Sequence, residues 1–127
     1  MKLKMRQIIE FQNFYNNIKN TKLPLKTAYK LSKLLLQIDE ELSFYQQKFA
    51  EIVNDFGKRD ENGELRYSSD KTSIEIVEEH REECQQKIEE LQSLEVNINE
   101  IEFTIEELEG LNLTISEMGC LMPFIKE

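Results

Sequence analysis

Residues 24–57, PLKTAYKLSKLLLQIDEELSFYQQKFAEIVNDFG, decide the fold. Along this stretch Ala28, Leu31, Leu35, Ile38, Leu42, Tyr45, Phe49, Ile52 and Phe56 alternate spacings of three and four. Nine positions in that rhythm make a coiled-coil-like seam rather than ordinary amphipathicity. Pro24 fits a first helical turn, where its missing N–H costs nothing, and Gly57 offers a left-handed stop. The stretch predicts a helix over about 24–56, near ~50 Å long at 1.5 Å per residue. A helix of that length cannot bury its seam alone. Leu34, Leu36, Phe44 and Val53 lie off the seam and predict a second apolar stripe. That stripe either packs on a further helix of the same chain or marks a homodimer.

Outward from this helix, Ile8, Phe11, Tyr15 and Ile18 share one face and predict a helix over about 6–19. Asn16, Asn17, Asn20 and Thr21 then favour a turn. On the other side, Ile74, Val77, Arg81, Cys84, Ile88 and Leu91 repeat the three-four spacing. With Thr72 and Glu75 as a capping box, they predict a helix over about 73–94. Residues 57–71, with Asp60-Glu61-Asn62-Gly63, read as a mobile tip or a small hairpin, the tip being preferred. Strand and short helices are expected over 95–127. Glu95–Asn99 alternates with period two, and Leu111-Asn112-Leu113 is a second candidate strand. Thr104/Glu107 and Thr114/Glu117 form two more capping boxes, and Pro123 must end the last helix early. The expected fold class is mainly α: an antiparallel long-helix hairpin, a packed N-terminal helix and a small C-terminal α/β tail. A chain of 127 residues is expected to form a single domain.

Charge is unevenly placed. The net value is −9, yet residues 1–35 carry eight lysines and arginines against Glu10 alone, +7. Residues 74–127 carry fifteen glutamates against Arg81, Lys87 and Lys126, −12. Two helices of opposite sign attracting each other would explain this within one monomer. The functional alternative is an acidic surface that docks on a basic partner. The outer face of the third helix (Glu75, Glu78, Glu79, Glu82, Glu83) and the turn Asp60, Glu61, Asn62 are therefore the candidate partner-binding residues.

Catalytic readings fail on chemistry. His80 and Cys84 sit four apart, but a zinc site needs three or four ligands and Cys120 is the only other soft side chain. Placing Gly63 at the sixth position of a calcium loop puts Lys58 first and Ser69 twelfth, where carboxylates are required. The carboxylates Glu78, Glu79, Glu82 and Glu83 lack the enclosure that splits pKa values for acid–base work. With one histidine, no nucleophile elbow and no phosphate loop, the chain is expected to be no enzyme, with no metal and no cofactor. The lysine run Lys19, Lys22, Lys26, Lys30, Lys33 suggests phosphate contact, but the acidic total and sparse arginine disfavour nucleic acid as partner. No apolar run approaches a membrane span and the start lacks a secretory leader, so no membrane partner and a cytoplasmic location are expected. Cys84 and Cys120 read as reduced thiols.

The segment Lys22-Leu23-Pro24-Leu25-Lys26-Thr27-Ala28-Tyr29-Lys30-Leu31, the turn Asp60–Gly63, the run Leu108-Glu109-Gly110-Leu111-Asn112-Leu113-Thr114 and the close Met122-Pro123-Phe124-Ile125 follow in a distinctive order. In that order they resemble an uncharacterised family of small proteins encoded by tailed phages and prophages of Gram-positive bacteria. Met5 departs from the pattern, which would place a capping polar residue before the first helix. The resemblance implies a phage accessory protein made in the host cytoplasm, and it carries over no catalytic residues. The expected function is binding to a host or phage protein, with inhibition or modulation of a host enzyme or defence system. The alternatives are a virion-assembly component that self-associates through helical seams, and a nucleic-acid-binding regulator using the basic N-terminal third.

Overall fold

The computed structural model describes residues 1–67 and 73–126. The protein is mainly helical with one small sheet. In order come β1 (Lys2–Lys4), α1 (Met5–Ile18), α2 (Leu25–Phe56), α3 (Arg81–Gln92), β2 (Glu95–Asn97) and α4 (Ile115–Leu121). Short 3-10 turns cover Glu78–His80, Glu106–Leu108 and Met122–Phe124. The chain divides into two compact units, Met1–Leu42 with Glu95–Glu127, and Ser43–Leu94. Helix α2 contributes residues to both.

The first unit is built on α1 and the N-terminal part of α2. Met5, Ile8, Phe11, Phe14 and Ile18 are the buried face of α1. Tyr15, expected on that face, is only half-buried, because Phe14 fills the position next to it. Phe11 stands edge-to-face with both Phe14 and Phe124, each at 5.8 Å between ring centres, an arrangement favoured by the ring quadrupole. Antiparallel pairing of β1 with β2 sets Leu3 opposite Val96, both buried. The expected strand near Glu95–Asn99 is therefore present over Glu95–Asn97, and its partner is a strand absent from the sequence reading. Met5 opens α1 as a buried residue. The Lys4 N–H is met instead by Gln7 Oε1 at 2.8 Å, so a side chain inside the first turn replaces the missing cap.

Within this unit α2 buries Thr27, Leu31, Leu34 and Ile38 together with Leu42. Leu34, placed off the seam by spacing, is fully buried, whereas Leu35 is intermediate. Leu36 remains 69% exposed. The stripe in contact with protein is thus rotated from the predicted one toward Thr27 and Leu34. Thr27 is buried because its hydroxyl donates to Glu107 O at 2.8 Å. The Thr104 and Thr114 boxes both form: Glu107 N–H donates to Thr104 Oγ1, and Glu117 N–H to Thr114 Oγ1. Residues 111–113 are not a strand. The final helix gives way at Met122–Phe124 to a 3-10 turn containing Pro123.

In the second unit the helix expected from about 73 starts later. Thr72 lies outside the described residues, and Glu75 lies in extended backbone, where its N–H donates to Arg66 O at 2.9 Å. Lys58 N–H donates to Glu75 O and Arg66 N–H to Lys58 O, both at 2.8 Å, so three extended pieces close a triangle of backbone bonds. The β-branched run Ile74, Ile76, Val77 suits extended backbone, and these partners override its helical spacing. Residues 57–67 thus take the hairpin alternative, and 68–71 of the expected tip lie outside the described residues. Gly57 is not a left-handed stop, since the positive φ, +80°, belongs to Gly63. Gly57 is needed for room. A Cβ there would lie 2.6 Å from Leu65 Cδ2 and 2.8 Å from Val53 O.

Candidate functional site

The candidate residues all fall in the second unit. On the exposed side of α3 and its preceding 3-10 turn, Glu78, Glu79, Glu82 and Glu83 are exposed. An open groove of about 870 Å³ runs over Glu78, Arg81, Glu82, Glu83, Gln86 and Glu89. Arg81 Nη2 meets Glu78 at 3.2 Å, and His80 Nδ1 lies 3.6 Å from Glu83. Exposed pairs of this kind contribute little, so they leave the band solvated and net negative. Glu75 is set apart from its expected companions. It lies in the extended segment, half-buried, with Arg66 Nε at 3.8 Å.

Asp60 organises the turn. Its Oδ1 accepts from Asn62 N–H at 2.8 Å and Glu64 N–H at 3.0 Å, an Asx-type arrangement. Arg59 ties the turn to the end of α2 through Asn54 Oδ1 at 2.8 Å. Glu61 and Asn62 stand exposed at its apex.

The same unit holds an apolar hollow of about 470 Å³ that the sequence reading did not single out. Phe49 and Val53 of α2, Ile74 and Ile76 of the extended segment, and Cys84 and Ile88 of α3 line it. Tyr67, Arg81 and Gln85 border it, and Arg81 and Gln85 also border the acidic groove. The two depressions are therefore neighbours. Phe49, Cys84 and Ile88 fall on helical seams that predict core, which masks the hollow in the sequence; the period-two run Ile74-Glu75-Ile76 is the signal that points to it. Cys84 is 3% exposed, and burial pushes its thiol above the ordinary range, as expected of a small apolar filler.

Other candidates find structural partners. His80 faces the Phe56 ring at 6.0 Å. No group of three or more His, Cys, Asp or Glu among the described residues is arranged to hold a metal ion. In the first unit Lys30 leaves the lysine face: its Nζ lies 2.8 Å from Glu107 Oε2 and donates to Glu107 Oε1 at 3.0 Å. Lys33 lies over the Tyr29 ring at 5.0 Å. Among the described residues no helix is long and apolar enough to cross a membrane.

No family model, curated protein or solved structure matches this chain.

Proposed function

We propose that the chain is a phage accessory protein that acts by binding another protein, inhibiting or modulating a host enzyme or defence system in the host cytoplasm. The phage origin rests on the sequence resemblance. The binding role is carried by one observation: an exposed acidic band on α3 beside an apolar hollow within one compact unit. An acidic band of this kind steers a basic partner over distances of about a Debye length. The Tyr45–Gln92 hydrogen bond at 3.4 Å and the Phe56–His80 ring contact support reading α2 and α3 as an antiparallel hairpin that presents this band.

The test is affinity capture with tagged protein from bacterial lysate, with and without phage infection, read by mass spectrometry. The same capture is run with Glu79→Lys/Glu82→Lys. A host protein held near stoichiometrically by the native chain and lost by the variant is the expected result. Retention by a folded variant rules out the acidic face.

A second reading, self-association in virion assembly, is favoured by the exposed apolar positions Leu25, Tyr29 and Leu36 along α2, which are 86%, 58% and 69% exposed. A light-scattering mass at the monomer value across concentrations removes it.

A further inference from the structure

The acidic groove and the apolar hollow share Arg81 and Gln85 at their border, and that juxtaposition selects a partner chemistry. We infer that the second unit is a docking slot for an amphipathic, basic segment of a partner protein. A bulky apolar side chain of that segment seats in the hollow, and flanking lysines or arginines lie along the α3 glutamates. This inference rests on the binding role proposed above and names the partner's local chemistry.

The hollow argues for the apolar anchor. Its volume of about 470 Å³ falls within the ~300–1,000 Å³ of natural binding pockets. Phe49 is 37% exposed and Tyr67 56% exposed, so two aromatic rings offer apolar area to whatever enters. Deeper in, Val53 and Cys84 are 9% and 3% exposed. A floor this buried is a pocket in which an inserted apolar anchor would be desolvated. Charge argues for the flanks. Arg81, the cation at the border, is already paired with Glu78 at 3.2 Å. Glu82 and Glu89 line the groove with no cation within ion-pair distance among the described residues, and both are exposed. An acidic partner would be repelled here. A polar basic partner would leave the aromatic mouth wet. Only a segment carrying both features satisfies the two depressions together.

The probe is a fluorescein-labelled amphipathic peptide of leucine, phenylalanine and lysine, titrated with the full-length chain and read by anisotropy. Control peptides replace lysine with glutamate, or the apolar residues with serine. The native peptide is expected to bind, to weaken as salt rises, and to exceed both controls at least tenfold. Phe49→Glu, at an exposed position of α2, is expected to weaken it at least tenfold, while Leu36→Glu, in the other unit, leaves it unchanged. Circular dichroism establishes that both variants fold. Equal binding of the serine control, or no effect of Phe49→Glu, overturns the slot. If Glu79→Lys/Glu82→Lys still abolishes capture from lysate, the acidic-face role survives that failure. If Glu79→Lys/Glu82→Lys changes neither capture from lysate nor peptide binding, the acidic-face role fails as well.

Discussion

Lys30 and Glu107 stand 77 residues apart in sequence and share the shortest ion pair of the chain's described residues, Lys30 Nζ to Glu107 Oε2 at 2.8 Å. The directed bonds go to Oε1, which accepts from Lys30 Nζ, from Thr104 N–H at 3.1 Å and from the Thr104 hydroxyl at 3.3 Å. Oε2 meets the same ammonium as a charge contact without a well-aligned hydrogen bond. With Thr27 bonded to Glu107 O, this cluster fastens the C-terminal stretch to α2.

The cluster makes stability depend on pH. The Lys30 hydrogen bond first, and then the Thr104 N–H, hold the Glu107 carboxyl below the usual carboxylate range. A depressed folded value means that the unfolded chain binds more protons as pH falls. The stabilisation is present above the ordinary glutamate range and is lost as acid titrates down through the folded value. Urea midpoints between pH 6 and pH 3 should fall for the native chain, and Glu107→Gln should flatten that part of the curve while lowering stability at neutral pH. An unchanged slope would show that other carboxylates govern acid sensitivity.

Gly57 and Gly63 separate crowding from backbone strain. Gly57→Ala drives a methyl against Leu65, Val53 O and Ile74, an overpacking that costs about 1–3 kcal/mol. Gly63→Ala meets open space but must hold φ near +80°, which costs about 1 kcal/mol. Chemical denaturation should rank Gly57→Ala as the more damaging. The opposite order would mean that Leu65 yields freely.

Helix α4 offers a change of each sign. Thr114→Ala removes the acceptor of the Glu117 N–H and should destabilise by about 1 kcal/mol. Gly119 lies inside α4, where an added Cβ meets nothing within 4 Å. Gly119→Ala should stabilise by about 0.5–1 kcal/mol. Thermal melts of both variants test the pair, and a lowered melting point for Gly119→Ala would contradict the open surroundings.

The thiols should differ in reactivity. Cys84 is buried, whereas Cys120 is of intermediate exposure. Burial, then Glu10 and Glu117, raise the Cys120 pKa, so neither thiol is strongly nucleophilic at neutral pH. Labelling with a chromogenic disulfide should modify Cys120 first and Cys84 only on denaturation or opening of the hollow. Fast labelling of Cys84 in the folded chain would show that the hollow breathes.

Helices α1, α2 and α4 were legible because long periodic runs and the Thr114/Glu117 box act locally. Thr104/Glu107 and Thr114/Glu117 form boxes as their spacing implies. Register and pairing were not legible, because they depend on distant residues. Leu34 rather than Leu35 is the more buried because Thr27, seven residues earlier, is held by Glu107. Ile74 and Val77 share their spacing with a helix, and only the carbonyls and amides of 57–67 settle that stretch as extended. The acidic band could be read from sequence since the paired glutamates at 78, 79, 82 and 83 need no partner to be exposed. The hollow could not, since four separate stretches supply its wall.

The first unit is assembled from both ends of the chain, with residues 43–94 between them. The Met1 ammonium donates to Ile98 O at 2.8 Å, and among the described residues β1 pairs with β2. At about 5–20 residues per second, a nascent Lys2–Lys4 segment waits roughly 5–20 s for its partner strand to be made. Strand β1 is thus made long before the strand that seals it. Throughout that interval the interior of the first unit stands open, and the second unit can close before its host does.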